Sequence, residues 1–448
     1  AAGATRAAAA TAAGLPGHAV RVVELPQIPR LASGKPDLAA VAAVAGPGAR
    51  AGTGAAAGAG SGAGAGAGSG AGAAPGTGTR PTADVRRLFA EVLGSTEVTE
   101  DSTFAGLGGD SLSYVRMSVR LEELLGPLPE DWPTRPVREL RALAGRPHRR
   151  GRWLETSVAL RAVAIVLVVG THAAVVDLPG GAHLLLTVLG FNLARLPLAA
   201  GDRWDRLRGL GRVLRGIAVP SVLWASLAVL LLGQYSVTNA AMLTYVLGPA
   251  GHNDFWFVET ALWLVAGVAA LLAVPAVDRL DRRHPLALPL GLAAVGLLFR
   301  YGLVPGHYPT PFRVCWLLAL GWAAARAGTV PQRLGLTAAA AVTIPGFHGD
   351  LARELLMVGG YVLLVWVAAV PSHPLLSRVA GVLAASSLHI YLTHWVVYRP
   401  LVDVSPVLAW AASLLVGIGY AAALAAATRA AGRVAALAAG RAAVRVRR

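Results

Sequence analysis

Two kinds of hydrophobic pattern divide this chain. From residue 154 to about 428, apolar stretches of 16–23 positions alternate with short polar loops, a texture that predicts membrane helices. Ten are predicted, roughly at 154–176, 181–200, 213–233, 255–274, 286–303, 312–327, 332–347, 355–371, 378–400 and 405–427. Residues 81–146 instead carry apolar positions at amphipathic helical spacing. "ADVRRLFAEVLG" reads as one such helix, and "RPVRELRALA" as a short last one. Between them "LSYVRMSVRLEELLG" turns Leu112, Val115, Val119 and Leu121 toward a core. Residues 43–80 have no period: repeats such as "GAGSGAGAGAGSGAG" cannot bury a core and predict a flexible linker. Residues 1–42 are mixed, with one strand-like alternation, "HAVRVVEL", and the first 20 lack the continuous apolar core of a signal peptide.

Charge then orients the membrane part. "DRWDRLRGLGR" after the second predicted span, "DRLDRRH" after the fourth and the tail at 429–448 are rich in Arg. The loops after the first, third and fifth hold neither Arg nor Lys. By the positive-inside rule both termini are cytoplasmic, and an even number of spans gives the same answer. The formal net charge of +16 therefore points to a lipid bilayer, and no groove-reading motif accompanies it, so nucleic acid is excluded as a partner. The expected location is the plasma membrane. Residues 81–146 go against this trend, holding 11 of the 24 acidic residues, as befits a soluble unit. The one cysteine, Cys315, lies in an apolar run, so neither a disulfide nor a Cys-based metal site is expected.

Three places carry candidate chemistry. "FAGLGGDSLSYV" sets Ser111 at the start of a helix, where free N–H groups and the positive end of the dipole suit a phosphate. Read alone, the same run is also an ordinary glycine loop before an N-cap. Lys35, in "LPQIPRLASGKPDL", is the one lysine among 40 basic residues, so it stands where arginine does not serve. In the first span Arg161 and His172 are eleven residues apart, about 1100° of turn and about 16 Å of rise, so they share a side. An arginine at that depth is costly facing lipid and should face the protein interior or a wet cavity.

Each place resembles a known family. The order of helices around "GLGGDSL" resembles the small four-helix carrier domains of peptide and fatty-acid synthases. That resemblance implies 4′-phosphopantetheine esterified to Ser111, flanked by Asp110 and Leu112, and a phosphopantetheinyl transferase as partner. The segment around Lys35, with Ser33, Gly34 and Asp37, resembles the C-terminal motif of adenylate-forming enzymes. The nucleotide-binding body of such an enzyme is missing, so a ligase upstream or separate is implied for loading. The chain also begins without Met and part-way through this motif, as expected of a piece of a longer or processed protein.

The spacing of Arg161 and His172 resembles the membrane-bound acyltransferase-3 family, ten-helix proteins that move acyl groups onto sugars and other acceptors. "RLRGLGRVLRGIAVPSVLW", "HNDFWFVETALW" and "ASSLHIYLTHWVV" resemble further elements of it. The resemblance implies His172 as general base, Arg161 as donor-binding residue, and Arg215, Glu259, Tyr391 and His394 as accessory residues. No metal is implied.

The expected fold is mostly α: a small four-helix carrier bundle joined to an α-helical membrane domain of about ten helices. The expected domains are an adenylate-enzyme remnant at 1–42, a linker at 43–80, a carrier at 81–146, a basic junction at 147–153, the membrane domain at 154–428 and the basic cytoplasmic tail. The expected function is transfer of an acyl or aminoacyl group from the carrier to a hydroxyl or amine of a glycan, lipid or small molecule. Two alternatives stand beside it. The membrane domain uses free acyl-CoA while the carrier serves another synthase, or the helices form a transporter or flippase for a carrier-made product.

Overall fold

The computed structural model describes residues 81–446 except 95–97, 110, 127, 130, 144–152, 234 and 249–252. The expected remnant with Lys35, the linker, Asp110 and most of the basic junction lie outside the described residues. What is described is mostly helical. The carrier segment opens with α1 (Pro81–Leu93) and α2 (Ser111–Leu125), continues through a 3-10 turn at Trp132–Thr134 and closes with the five-residue α3 (Val137–Arg141). Val85, Phe89, Phe104, Tyr114, Met117, Leu121, Trp132 and Leu140 form its core, with the rings of Phe104, Tyr114 and Trp132 in mutual contact. Of the four core positions expected on the second helix, Leu121 is fully buried; the side chains of the other three lie outside the described residues.

A strand, β1 (Trp153–Glu155), leads into α4 (Thr156–His172). Then come α5 (Gly181–Arg195), α6 (Arg203–Leu232), two short helices α7 (Val237–Ala240) and α8 (Thr244–Leu247), and α9 (Trp256–Ala273). They are followed by α10 (Pro275–Arg283), α11 (Ala287–Arg300), α12 (Thr310–Arg326), α13 (Val330–Thr343) and α14 (Leu351–Trp366). A second strand, β2 (Ala369–Pro371), precedes α15 (Pro374–Tyr398) and the long α16 (Pro406–Val446). A helix stands at each of the ten apolar stretches, and among the described residues five helical segments, 181–199, 203–231, 256–273, 374–398 and 406–431, are long and apolar enough to cross a bilayer. They make a membrane protein the consistent reading.

Two departures from the sequence pattern matter for the site. α6 begins ten residues before the expected span: Asp202 caps it by accepting from the Trp204 amide at 2.8 Å, so the basic stretch is helix rather than loop. And β1 pairs antiparallel with β2, Leu154 opposite Val370, tying the start of α4 to the approach to α15. Three-residue strands leave no readable period.

Helices α5 and α12 cross at glycines. A Cβ on Gly190 would lie 1.9 Å from the Leu318 carbonyl oxygen, and one on Gly321 at 1.9 Å from that of Thr187. Helix α15 packs on α4, α16 and, from the carrier, α2. The carrier core accordingly runs on without a break into Leu154, Val158, Ala162 and Leu196 and into Ala380, Ala384 and Ala385 of α15.

Candidate functional site

The site is built along one helix. Seven residues separate Ser387 from His394 on α15, about two turns and about 10 Å, so both face the same neighbour, α4. Arg161 donates from Nε to Ser387 Oγ at 2.7 Å. His172 Nδ1 lies 3.0 Å from His394 Nε2. The two residues read from the first span thus meet α15 at two levels.

The protons of the histidine pair follow from what they touch. His394 Nδ1 sits 2.6 Å from the Tyr391 carbonyl oxygen, which can only accept, so this nitrogen carries the hydrogen. Neutral His394 then offers a bare Nε2, which accepts from His172 Nδ1. His172 Nε2 is left as the basic nitrogen of a relay whose far end is fixed by backbone. Trp395 (ring centroids 4.4 Å) and Tyr398 (6.1 Å) wall the His172 ring, and His394 is wholly buried.

Beneath the pair, at the Arg161 level, lies a cavity of about 100 Å³ whose lining includes Arg161, Asn192, Gly216, Ile217, Phe257 and Ser387. Above it a loop is stitched down. Glu259, fully buried, accepts from the Tyr245 amide at 2.8 Å and from Asn253 Nδ2 at 2.7 Å. The Tyr391 hydroxyl donates to the Asp254 carbonyl at 3.1 Å and accepts from the Phe257 amide at 3.4 Å. Asp254 in turn pairs with Arg399 at 2.9 Å. Glu259 and Tyr391 therefore hold the loop, and neither reaches the basic nitrogen. Arg215 is exposed on α6 and does not line the cavity, although its neighbour Gly216 does. Sequence reasoning missed Asp254 and Arg399, which lie 145 residues apart. It also missed Arg212, one turn before Arg215; Asp202 as a helix start was the signal that would have set its phase.

Ser111 opens α2. Gly108 just before it has φ +89°, and a Cβ there would fall 0.8 Å from Nη1 of Arg212, so Arg212 occupies the space a side chain would need. Gly109 lies against the Phe104 ring, 2.1 Å from such a Cβ. Both glycines of the motif are thus required, one by backbone and Arg212, the other by the carrier core. Beside them is a cavity of about 300 Å³, lined from the carrier by Thr103, Gly106 and Gly109 and from the α5–α6 corner by Pro197, Gly209 and Arg212. Room for roughly ten waters, a guanidinium and a 15-residue helix start beside it fit a phosphodiester.

The polar seam between carrier and membrane helices centres on Glu155, which accepts from the Tyr114 hydroxyl, from Arg195 and, at 2.9 Å, from Ser157 Oγ. Glu122 of α2 lines the same recess, where burial and then the nearby Glu155 carboxylate push its pKa up from 4.5 to about 8. Among the described residues no cluster of three metal-ligating side chains is present.

Residues 83–131 match the family of phosphopantetheine attachment sites. Searches of curated proteins and of solved structures returned no match to the chain. The matched segment is a site for covalently attached 4′-phosphopantetheine, and a carrier of this kind implies a phosphopantetheinyl transferase and catalytic partners.

Proposed function

We propose that this chain is an integral-membrane acyltransferase that takes an acyl or aminoacyl group from phosphopantetheine on Ser111 of its own carrier and gives it to a hydroxyl or amine acceptor. One observation carries the reading: a two-histidine relay and a cavity-lining arginine both reach from α4 to partners on α15, the helix on which the carrier's modified helix also packs. When bound, the arm supplies a thiol that holds the acyl group as a thioester.

The chain's own residues do the rest. His172 Nε2 takes the proton of the acceptor as it attacks, and His394 Nε2, accepting from His172 Nδ1, stabilises the resulting imidazolium. The positive ring then returns a proton to the leaving group. Arg161, held at Nε by Ser387, lines the cavity, where a guanidinium suits an oxygen of the donor. The loop held by Glu259, Tyr391 and the Asp254–Arg399 pair closes the relay from above. The adenylate-type motif around Lys35 fits a loading ligase acting on the same carrier.

The test uses the full chain in membranes, with the carrier loaded from a labelled acyl-CoA by a phosphopantetheinyl transferase. Label should leave wild-type carrier for extractable lipid or glycan. It should leave His172→Ala at least about 100-fold more slowly, the usual worth of a general base. His394→Phe, which keeps a ring but removes the acceptor, should slow it about tenfold or more. Equal discharge by His172→Ala overturns the proposal. Equal transfer from free acyl-CoA by Ser111→Ala assigns the donor role to CoA instead.

A further inference from the structure

Where the carrier meets the membrane helices, a polar recess of about 230 Å³ is walled by both. We infer that it binds a small zwitterion of the amino-acid class, with Glu122 taking the ammonium and Arg333 the carboxylate. The inference goes beyond acyl transfer and does not depend on it.

The lining sorts its charges into one closed pair and two open ends. Glu155 of β1 and Arg195 of α5 are paired, and Tyr114 and Ser157 donate to the same carboxylate. Glu122 of α2 lines the recess too, and its carboxyl has neither a hydrogen bond nor an ionic partner among the described residues. Arg333 of α13 donates from Nε to the Ala327 carbonyl at 3.4 Å, and among the described residues no acid pairs with its guanidinium. Two acids and two bases therefore line the recess, so it favours neither a lone anion nor a lone cation. A molecule with one charge of each sign fits the two open ends. The space holds about seven waters at about 30 Å³ each, enough for an amino acid with a modest side chain. Thr156 adds an unused donor: it is 2% exposed, lines the recess, and its hydroxyl has no partner among the described residues. Because Glu122 belongs to the carrier and Arg333 to the membrane helices, the bound molecule bridges the two and holds the carrier seated. Burial and then Glu155 push the Glu122 pKa up to about 8, so the empty recess keeps this acid protonated at neutral pH. An arriving ammonium ionises it, so binding releases a proton and tightens as pH rises toward 8.

Equilibrium dialysis of the full chain in nanodiscs tests this. The probe is a mixture of the protein amino acids, quantified by mass spectrometry, with no nucleotide present, so that nothing is loaded covalently. Wild type should retain at least one of them. Its matching amine and its matching carboxylic acid should each bind at least about tenfold more weakly, the effect of one charge-assisted hydrogen bond. Glu122→Gln, which keeps the shape of the protonated acid, and Arg333→Gln should each weaken binding by a similar factor, with Tm as the control for folding. Between pH 6 and 8 wild-type binding should tighten, and Glu122→Gln should lose that rise. Retention of no amino acid, equal binding of the amine or acid analogue, or undiminished binding by both variants overturns the inference. Retention that depends on Glu122 and Arg333 in a protein that never discharges its carrier would sink acyl transfer and leave this site standing.

Discussion

At the scale of single residues, the sequence showed which side chains belong together but not what they bond. Arg161 and His172 were legible as a pair because helical geometry alone places them on one side. His394 and Ser387, their partners, lie 222 and 226 residues away in sequence, and no local pattern signals such pairings. Glu122 was illegible for a different reason: it looks like any charged position on an amphipathic helix, and only the packing of α2 shows that it is half-buried in the recess beside Glu155. Its raised pKa means that the packed state prefers the protonated acid. Packing therefore binds more protons than the unfolded chain between pH 4.5 and about 8, and its stability falls as pH rises through that window. Denaturation of the carrier segment followed from pH 5 to 9 should show this fall, and Glu122→Gln should flatten it. A stability that rises with pH, or an equal slope in the variant, would refute the assignment.

Among elements, apolar runs placed the helices well because burial in lipid or protein demands long apolar stretches. Their ends were less legible. The start of α6 was hidden because arginines in a loop look the same in sequence as arginines on a helix surface, and α16 continues as helix through the basic tail to Val446. Close crossings were hidden as well, since a glycine in an apolar run is common and only its neighbour shows whether it is needed. At Gly190 the neighbour is backbone, the Leu318 carbonyl, and it cannot yield as a side chain would. Gly190→Ala should force α5 from α12 and destabilise the fold by about 1–3 kcal/mol, read as a lower Tm in detergent. Gly267→Ala, on α9 with open space around it, is the matched control and should leave Tm unchanged or slightly raised.

Over the whole molecule, charge and core are distributed in ways that composition does not reveal. Arg206, one of the arginines on which the expected orientation rests, is fully buried between Asp278 (2.6 Å) and Asp281, and Arg282 also pairs with Asp278 at 2.6 Å. Part of the positive charge thus clamps α6 to α10 instead of facing lipid. The carrier, expected as a domain of its own joined to the membrane helices, shares apolar core with α4 and α15. That shared core has a calorimetric consequence. A carrier that must leave to be reloaded has to wet the faces of Val158, Ala162, Ala380 and Ala384 on every cycle, and wetting hydrocarbon raises the heat capacity. When departure limits the rate, repeated turnover acquires a temperature dependence that bends on an Eyring plot, while a single discharge from carrier already in place stays straight. Measured on one preparation from 10 to 40 °C, two straight lines would mean that the seam never opens during turnover, and that loading occurs with the carrier still seated on the membrane helices.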